Sequence, residues 1–180
     1  MKTWWLAIDK NDKNSSYLEL KHKKIVAQGW SALGNLDLLR KCVPNNKKEF
    51  FSIIQLLGDV AYKSKGWWLH KDKKATRCPT VMWNLMNVKK GDLIVGIEGT
   101  QVMGICEMPV DGVESYRYDS GYEYAHTIGF PVKWIDWNKN NFGDFIPNAP
   151  EQSVQGIRGL NKESFDVKEA WKKYKSSQNG

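Results

Sequence analysis

The spacing of apolar positions changes several times along the chain, and each change marks an element. Residues 3–9 (TWWLAID) have strand character and run into a polar turn at 9–16. Residues 24–30 (KIVAQGW) form a second short strand candidate. A loop at 31–35 (SALGN) leads from it into a short helical stretch around 36–40. The clearest helix spans about 46–62, because Phe50, Ile53, Ile54, Leu57 and Ala61 fall on one face at helical spacing. Asn46 followed by Glu49 makes a capping box, with Asn in place of Ser or Thr.

A basic, aromatic loop follows at 63–74 (KSKGWWLHKDKK), and Pro79 suits the first turn of another helix running to about 87. Lys89-Lys90-Gly91-Asp92 reads as a turn feeding two strands, 93–98 and 101–108, joined at Gly99-Thr100. Residues 109–123 look like loop, followed by strand candidates at 124–128 and 132–137. Pro147 and Pro150 mark an irregular connection, and 164–174 makes a last amphipathic helix. No repeat and no linker divides the pattern. It predicts one α+β domain over 1–174 with a strongly curved or barrel-like β-sheet flanked by helices, and a flexible tail at 175–180.

Composition adds a partner. The 41% hydrophobic and 26% charged residues of this 180-residue chain are those of a soluble globular domain. No apolar run approaches the ~18–20 residues that span a bilayer, so no membrane partner is expected. The start lacks a secretory pattern, which makes the cytoplasm the default compartment. Cys42, Cys78 and Cys106 form no CxxC pair, so neither a disulfide framework nor a metal site is indicated. The net charge of +7 and the 9 tryptophans matter more. A positive field attracts polyanions, and aromatic faces let bases stack.

Catalytic chemistry finds little support. HExxH, GxSxG, P-loop and GxGxxG patterns are all missing. His22, His70 and His126 are isolated, and Cys78 with His126 reads as a buried thiol and a surface imidazole. No catalytic residue and no cofactor are expected. Binding chemistry fares better: Trp30, at a strand end beside Ser31 and a polar loop, could form one wall of a slot for a flat ligand. The plainer reading of the same position is a core Trp that covers the barrel mouth.

Gly29-Trp30-Ser31-Ala32-Leu33, with Asn35 and Leu36 after it, resembles the YTH-family segment whose Trp is the first wall of an aromatic cage. Asp92-Leu93-Ile94-Val95-Gly96-Ile97 and Gly104-Ile105-Cys106-Glu107-Met108 are similar to that family's paired strands, and Phe130-Pro131-Val132-Lys133-Trp134-Ile135 to the strand that follows them. The run from Asn84 to Leu93 also resembles the EVE family, where a helix precedes a Lys-x-Gly-Asp strand start. The likeness covers roughly residues 3–137 in order.

It implies a PUA-like curved sheet with a pocket that holds a modified base between aromatic walls. Trp30 carries over most directly, with Ser31 beside it and Asn11 placed against the base edge. The second wall departs from the family pattern and falls to Tyr118, Tyr122, Tyr124 or His126, at least one of which should face Trp30 across a concave pocket. A base buried in such a pocket is flipped out of a duplex or comes from a single strand. Phosphate contacts fall to Lys63, Lys65, Lys71, Lys73, Lys74 and Arg77, with Trp67 or Trp68 as a wedge.

The expected partner is therefore nucleic acid, with DNA carrying a modified base favoured over single-stranded RNA. The setting that the resemblance implies is the targeting module of a modification-dependent restriction system, whose nuclease or motor lies elsewhere in the protein or assembly. A small PUA-like hydrolase and a protein–protein adaptor anchored on Trp67 and Trp68 are the alternatives from other classes.

Overall fold

The computed structural model describes residues 1–8, 17–62, 77–99, 101–122, 124–142, 156–159 and 164–178. In chain order its first half contains β1 (Thr3–Ile8), α1 (Tyr17–Lys23), β2 (Val26–Gln28), two 3-10 turns (Ser31–Leu33 and Asp37–Cys42) and α2 (Lys47–Tyr62). Then come α3 (Arg77–Asn87), β3 (Leu93–Glu98), β4 (Gln101–Glu107), α4 (Gly112–Ser115), β5 (Arg117–Tyr118) and β6 (His126–Ile128). The chain closes with β7 (Ile135–Asp136), α5 (Lys139–Phe142), β8 (Gly156–Gly159) and α6 (Ser164–Gln178).

The strands form a five-stranded mixed sheet, ordered β7-β4-β3-β1-β8, and a three-stranded antiparallel sheet, β2-β6-β5. β1 runs parallel to β3 from Thr3↔Leu93 to Ile8↔Glu98, so the segment between them is one long crossover. Helices cover both faces of the large sheet, which is why β1 and β3 read as unbroken apolar runs rather than alternating ones. Trp4, Leu6, Ile8, Ile94 and Cys106 face a core shared with Phe50, Ile54, Met82 and Leu85. Trp5, Leu93, Val95, Ile97 and Ile105 face a second core closed by Phe142, Val167 and Trp171.

Asp92 ties the two central strands together. Its buried carboxylate accepts hydrogen bonds from the Lys2 backbone (2.6 Å), the Trp4 indole (2.9 Å) and the Lys89 backbone (3.1 Å). Gly91, at φ 80°, makes the turn that allows this. At the other end of the sheet, Tyr17 lies across Gly104, where an added Cβ would sit 2.1 Å from the phenol oxygen. That hydroxyl donates to Asp136 at 2.8 Å, beside the Lys21–Asp136 ion pair.

The α+β class agrees with the expectation from sequence, whereas the described strands form two sheets and neither closes into a barrel. Phe50 and Ile54 are fully buried on α2, and the Asn46 carboxamide caps the Glu49 N–H as the capping box requires. Other boundaries differ for visible reasons. The second strand shortens to 26–28 because Lys24 and Trp30 both take positive φ and turn the chain. The 132–137 candidate keeps only 135–136 in the ladder. Val132 N–H instead donates to the Lys24 carbonyl, and the Trp134 indole to the Ile25 carbonyl.

The 109–123 segment, expected as loop, contains α4 and β5. Neither α1 nor β8 has a counterpart in the elements expected from the sequence pattern. α6 continues to Gln178 rather than ending at 174, held by Trp171 and Lys175, which both donate to Glu107. Among the described residues no helix is long and apolar enough to cross a membrane.

Candidate functional site

The smaller sheet sets one row of side chains side by side. Gln28 pairs with His126 across β2–β6, and His126 pairs with Tyr118 across β6–β5. Directly opposed residues of an antiparallel pair point to the same face. Gln28 and His126 are buried, and Tyr118 is half-buried at the edge. Two residues past Gln28 the chain turns sharply, because Trp30 adopts φ 69° and ψ 33°, the left-handed region. For a bulky L-residue that conformation costs about 1–2 kcal/mol, so surrounding contacts must hold it.

Those contacts come from four aromatic side chains. His126 Nε2 lies 3.1 Å from the Trp30 carbonyl oxygen. A carbonyl only accepts, so Nε2 carries the proton and Nδ1 is the acceptor. Nδ1 then accepts a hydrogen bond from the Tyr116 hydroxyl at 2.8 Å, while the Tyr116 oxygen accepts the Leu36 N–H at 3.1 Å. Tyr118 donates to the Ser31 carbonyl at 2.8 Å. Tyr62, the last residue of α2, accepts the Ala32 N–H at 3.0 Å and stands edge-on to the Trp30 indole, 5.7 Å away at 88°. Loop 30–36 is thereby fastened from the small sheet on one side and from α2 on the other.

Burial holds His126, Tyr62 and Tyr116 of this cluster neutral. Burial pushes His126 down to about 4, against a smaller upward pull from the Trp30 carbonyl. Burial likewise pushes the Tyr62 phenol up to about 12 and raises Tyr116. The result is a half-buried indole beside buried, uncharged polar groups. Such uncharged surroundings offer no counter-charge to a bound ion.

Of the residues expected at a base-binding site, Trp30, Ser31, Tyr118 and His126 come together. His126 is fully buried rather than a surface imidazole, since the Trp30 carbonyl and the Tyr116 hydroxyl satisfy both ring nitrogens there. It and Tyr118 reach the loop through backbone carbonyls, while Tyr62 presents its ring to Trp30. Tyr122 and Tyr124 are buried 6.3 Å from each other, with the Lys23 ammonium 4.3 Å from the Tyr122 ring.

Tyr62, Tyr116 and Gln28 are not among the residues expected there from the sequence. A signal for Tyr62 existed: Phe50, Ile54, Gly58 and Tyr62 recur every fourth residue and are the buried stripe of α2. Asn11, Lys63, Lys65, Trp67, Trp68, Lys71, Lys73 and Lys74 lie outside the described residues, as does the side chain of Arg77.

Cys42, Cys78 and Cys106 are free and buried, and burial raises each thiol away from the reactive thiolate. Among the described residues no three His, Cys, Asp or Glu side chains come together to hold a metal. A groove of about 370 Å³ runs between β4, β7 and α6, lined by Glu107, Lys133, Trp171, Tyr174 and Lys175. Burial raises Glu107, but hydrogen bonds from Lys175 and Trp171 outweigh it and hold the carboxyl below its ordinary value. Comparison of the chain with protein-family models, curated proteins and solved structures finds no match.

Proposed function

We propose that this chain is a PUA-like, non-catalytic reader that captures one modified base of a nucleic acid against Trp30. In this reading it is the DNA-targeting module of a modification-dependent restriction system, with the nuclease or motor carried elsewhere. The observation that carries the reading is the conformation of Trp30. A bulky residue in the left-handed region is strain that the buried His126–Tyr116 pair must maintain, and such strain collects at ligand-holding positions. Packing alone would not require it, because an indole can fill a core from ordinary backbone geometry.

The energetics fit a flipped base. Unstacking a base from a duplex costs a few kcal/mol, and stacking on an aromatic face returns about 1–3 kcal/mol. A buried methyl group adds about 0.8 kcal/mol, so discrimination by one methyl needs support from hydrogen bonds at the base edge. The net charge of +7 supplies a non-selective attraction to phosphates.

The test is a binding series with matched single- and double-stranded oligonucleotides. Each is made as DNA and RNA, and with and without N6-methyladenine, 5-methylcytosine and 5-hydroxymethylcytosine. The protein should prefer one modified probe, and Trp30→Ala should bring that preference close to unity while the variant still unfolds cooperatively. An unchanged preference in Trp30→Ala, or no preference in the wild type, would refute the reading.

A further inference from the structure

Gln28 is 1% exposed, and its side-chain Nε2 has no hydrogen-bond partner among the described residues. Leaving a buried amide donor unsatisfied disfavours the free protein, so such a group calls for a physical explanation. Its position offers one. Gln28 shares a cross-strand row with His126 and Tyr118, the two residues whose polar atoms hold the carbonyls of Trp30 and Ser31. His126, next to it, has both ring nitrogens engaged and cannot serve a ligand without releasing the loop. Tyr118 has likewise committed its proton to Ser31. In this row the Gln28 amide is the donor left over, two residues from the strained indole.

We propose that Gln28 is the edge-reading residue of the site. Its amide N–H donates to a hydrogen-bond acceptor, a ring nitrogen or exocyclic oxygen, on the rim of a nucleobase stacked on Trp30. The inference rests on the base-binding reading above and adds the source of its selectivity. Stacking accepts any flat ring, because every base has a π face. An orphaned buried donor rejects a ring whose edge presents no acceptor at that point, because the donor then stays unsatisfied in the complex. Binding the right base, by contrast, removes an unfavourable feature already present in the free protein. Trp30 thus supplies the surface and Gln28 the choice among bases.

Gln28→Met keeps the side-chain length and removes the amide; Gln28→Glu keeps the shape and presents an acceptor where a donor stood. Affinities of the full chain and of Trp30→Ala, Gln28→Met and Gln28→Glu are measured by fluorescence anisotropy. The probes are single-stranded oligonucleotides carrying one N6-methyladenine, 5-methylcytosine or 5-hydroxymethylcytosine, with their unmodified counterparts. Thermal unfolding is followed in parallel.

Gln28→Met is expected to lose about 10- to 100-fold on the probe the wild type prefers and to bind the three modified probes more evenly. Gln28→Glu is expected to lose more, and Gln28→Met should be no less stable than the wild type. If Trp30→Ala loses the preferred probe while both Gln28 variants bind it as the wild type does, base reading stands and Gln28 is not its edge reader. If Gln28→Met fails to fold, the amide has an essential partner within the protein, and the assignment falls. If no probe is preferred by the wild type, or Trp30→Ala binds like it, the base-binding reading falls and the role of Gln28 falls with it.

Discussion

Acidification from about pH 7 to about pH 5 should weaken the fold by about 2 kcal/mol through His126 alone. In the unfolded chain the imidazole titrates near its ordinary 6.5, whereas in the folded protein burial holds it near 4. The folded state therefore binds fewer protons throughout that interval, and stability falls as pH falls through it. The contribution is complete above 6.5 and exhausted below 4, and the whole window corresponds to about 3 kcal/mol at about 1.4 kcal/mol per unit. The neighbouring groups do not offset this, because Tyr116 and Tyr62 are raised further from the range and stay neutral.

The assay is urea unfolding, followed by tryptophan fluorescence at steps between about pH 7 and about pH 4.5, for wild type and His126→Gln. Glu107, Asp111 and Asp136, whose carboxyls are depressed by their lysine and backbone partners, lose stability only toward the acid end, and they contribute equally to both proteins. The wild-type curve should fall more steeply than that of the variant by up to about 1.4 kcal/mol per pH unit. Parallel curves would mean that His126 is not held neutral, and the account of the Trp30 clamp would have to be abandoned.

Two further substitutions test the frame beneath the site. Gly104→Ala must displace Tyr17 from its place over the sheet and break its bond to Asp136, so a loss of about 2–3 kcal/mol is expected in chemical denaturation. Near-wild-type stability would show that the ring relocates freely. Asp92→Ala leaves the buried Trp4 indole and the N–H groups of Lys2 and Lys89 without their acceptor. That should cost about 2–4 kcal/mol, and a thermal midpoint within a degree or two of wild type would contradict the role given to this carboxylate.

Local chemistry made some of this protein legible from its residues. The helix over 47–62 and the hairpin strands 93–98 and 101–107 are visible because helical hydrogen bonds close within four residues and the hairpin strands are neighbours in the chain. Trp30 stood out for the same reason, as an indole set between a strand and a polar loop. Its backbone conformation did not, since nothing in Gly29-Trp30-Ser31 requires a non-glycine residue to take positive φ.

The rest depends on partners distant in sequence. β5 and β7 are two residues each and β2 three, too short to show an alternating pattern, so only pairing with strands elsewhere defines them. The burial of His126 follows from the Trp30 carbonyl, 96 positions away, and that of Tyr116 from Leu36, 80 positions away. Gln28 reads in the sequence as an ordinary polar residue of a short strand. Burial places its amide among groups whose hydrogen bonds are already made, and the free energy of leaving that amide unpaired is a property of the assembled site.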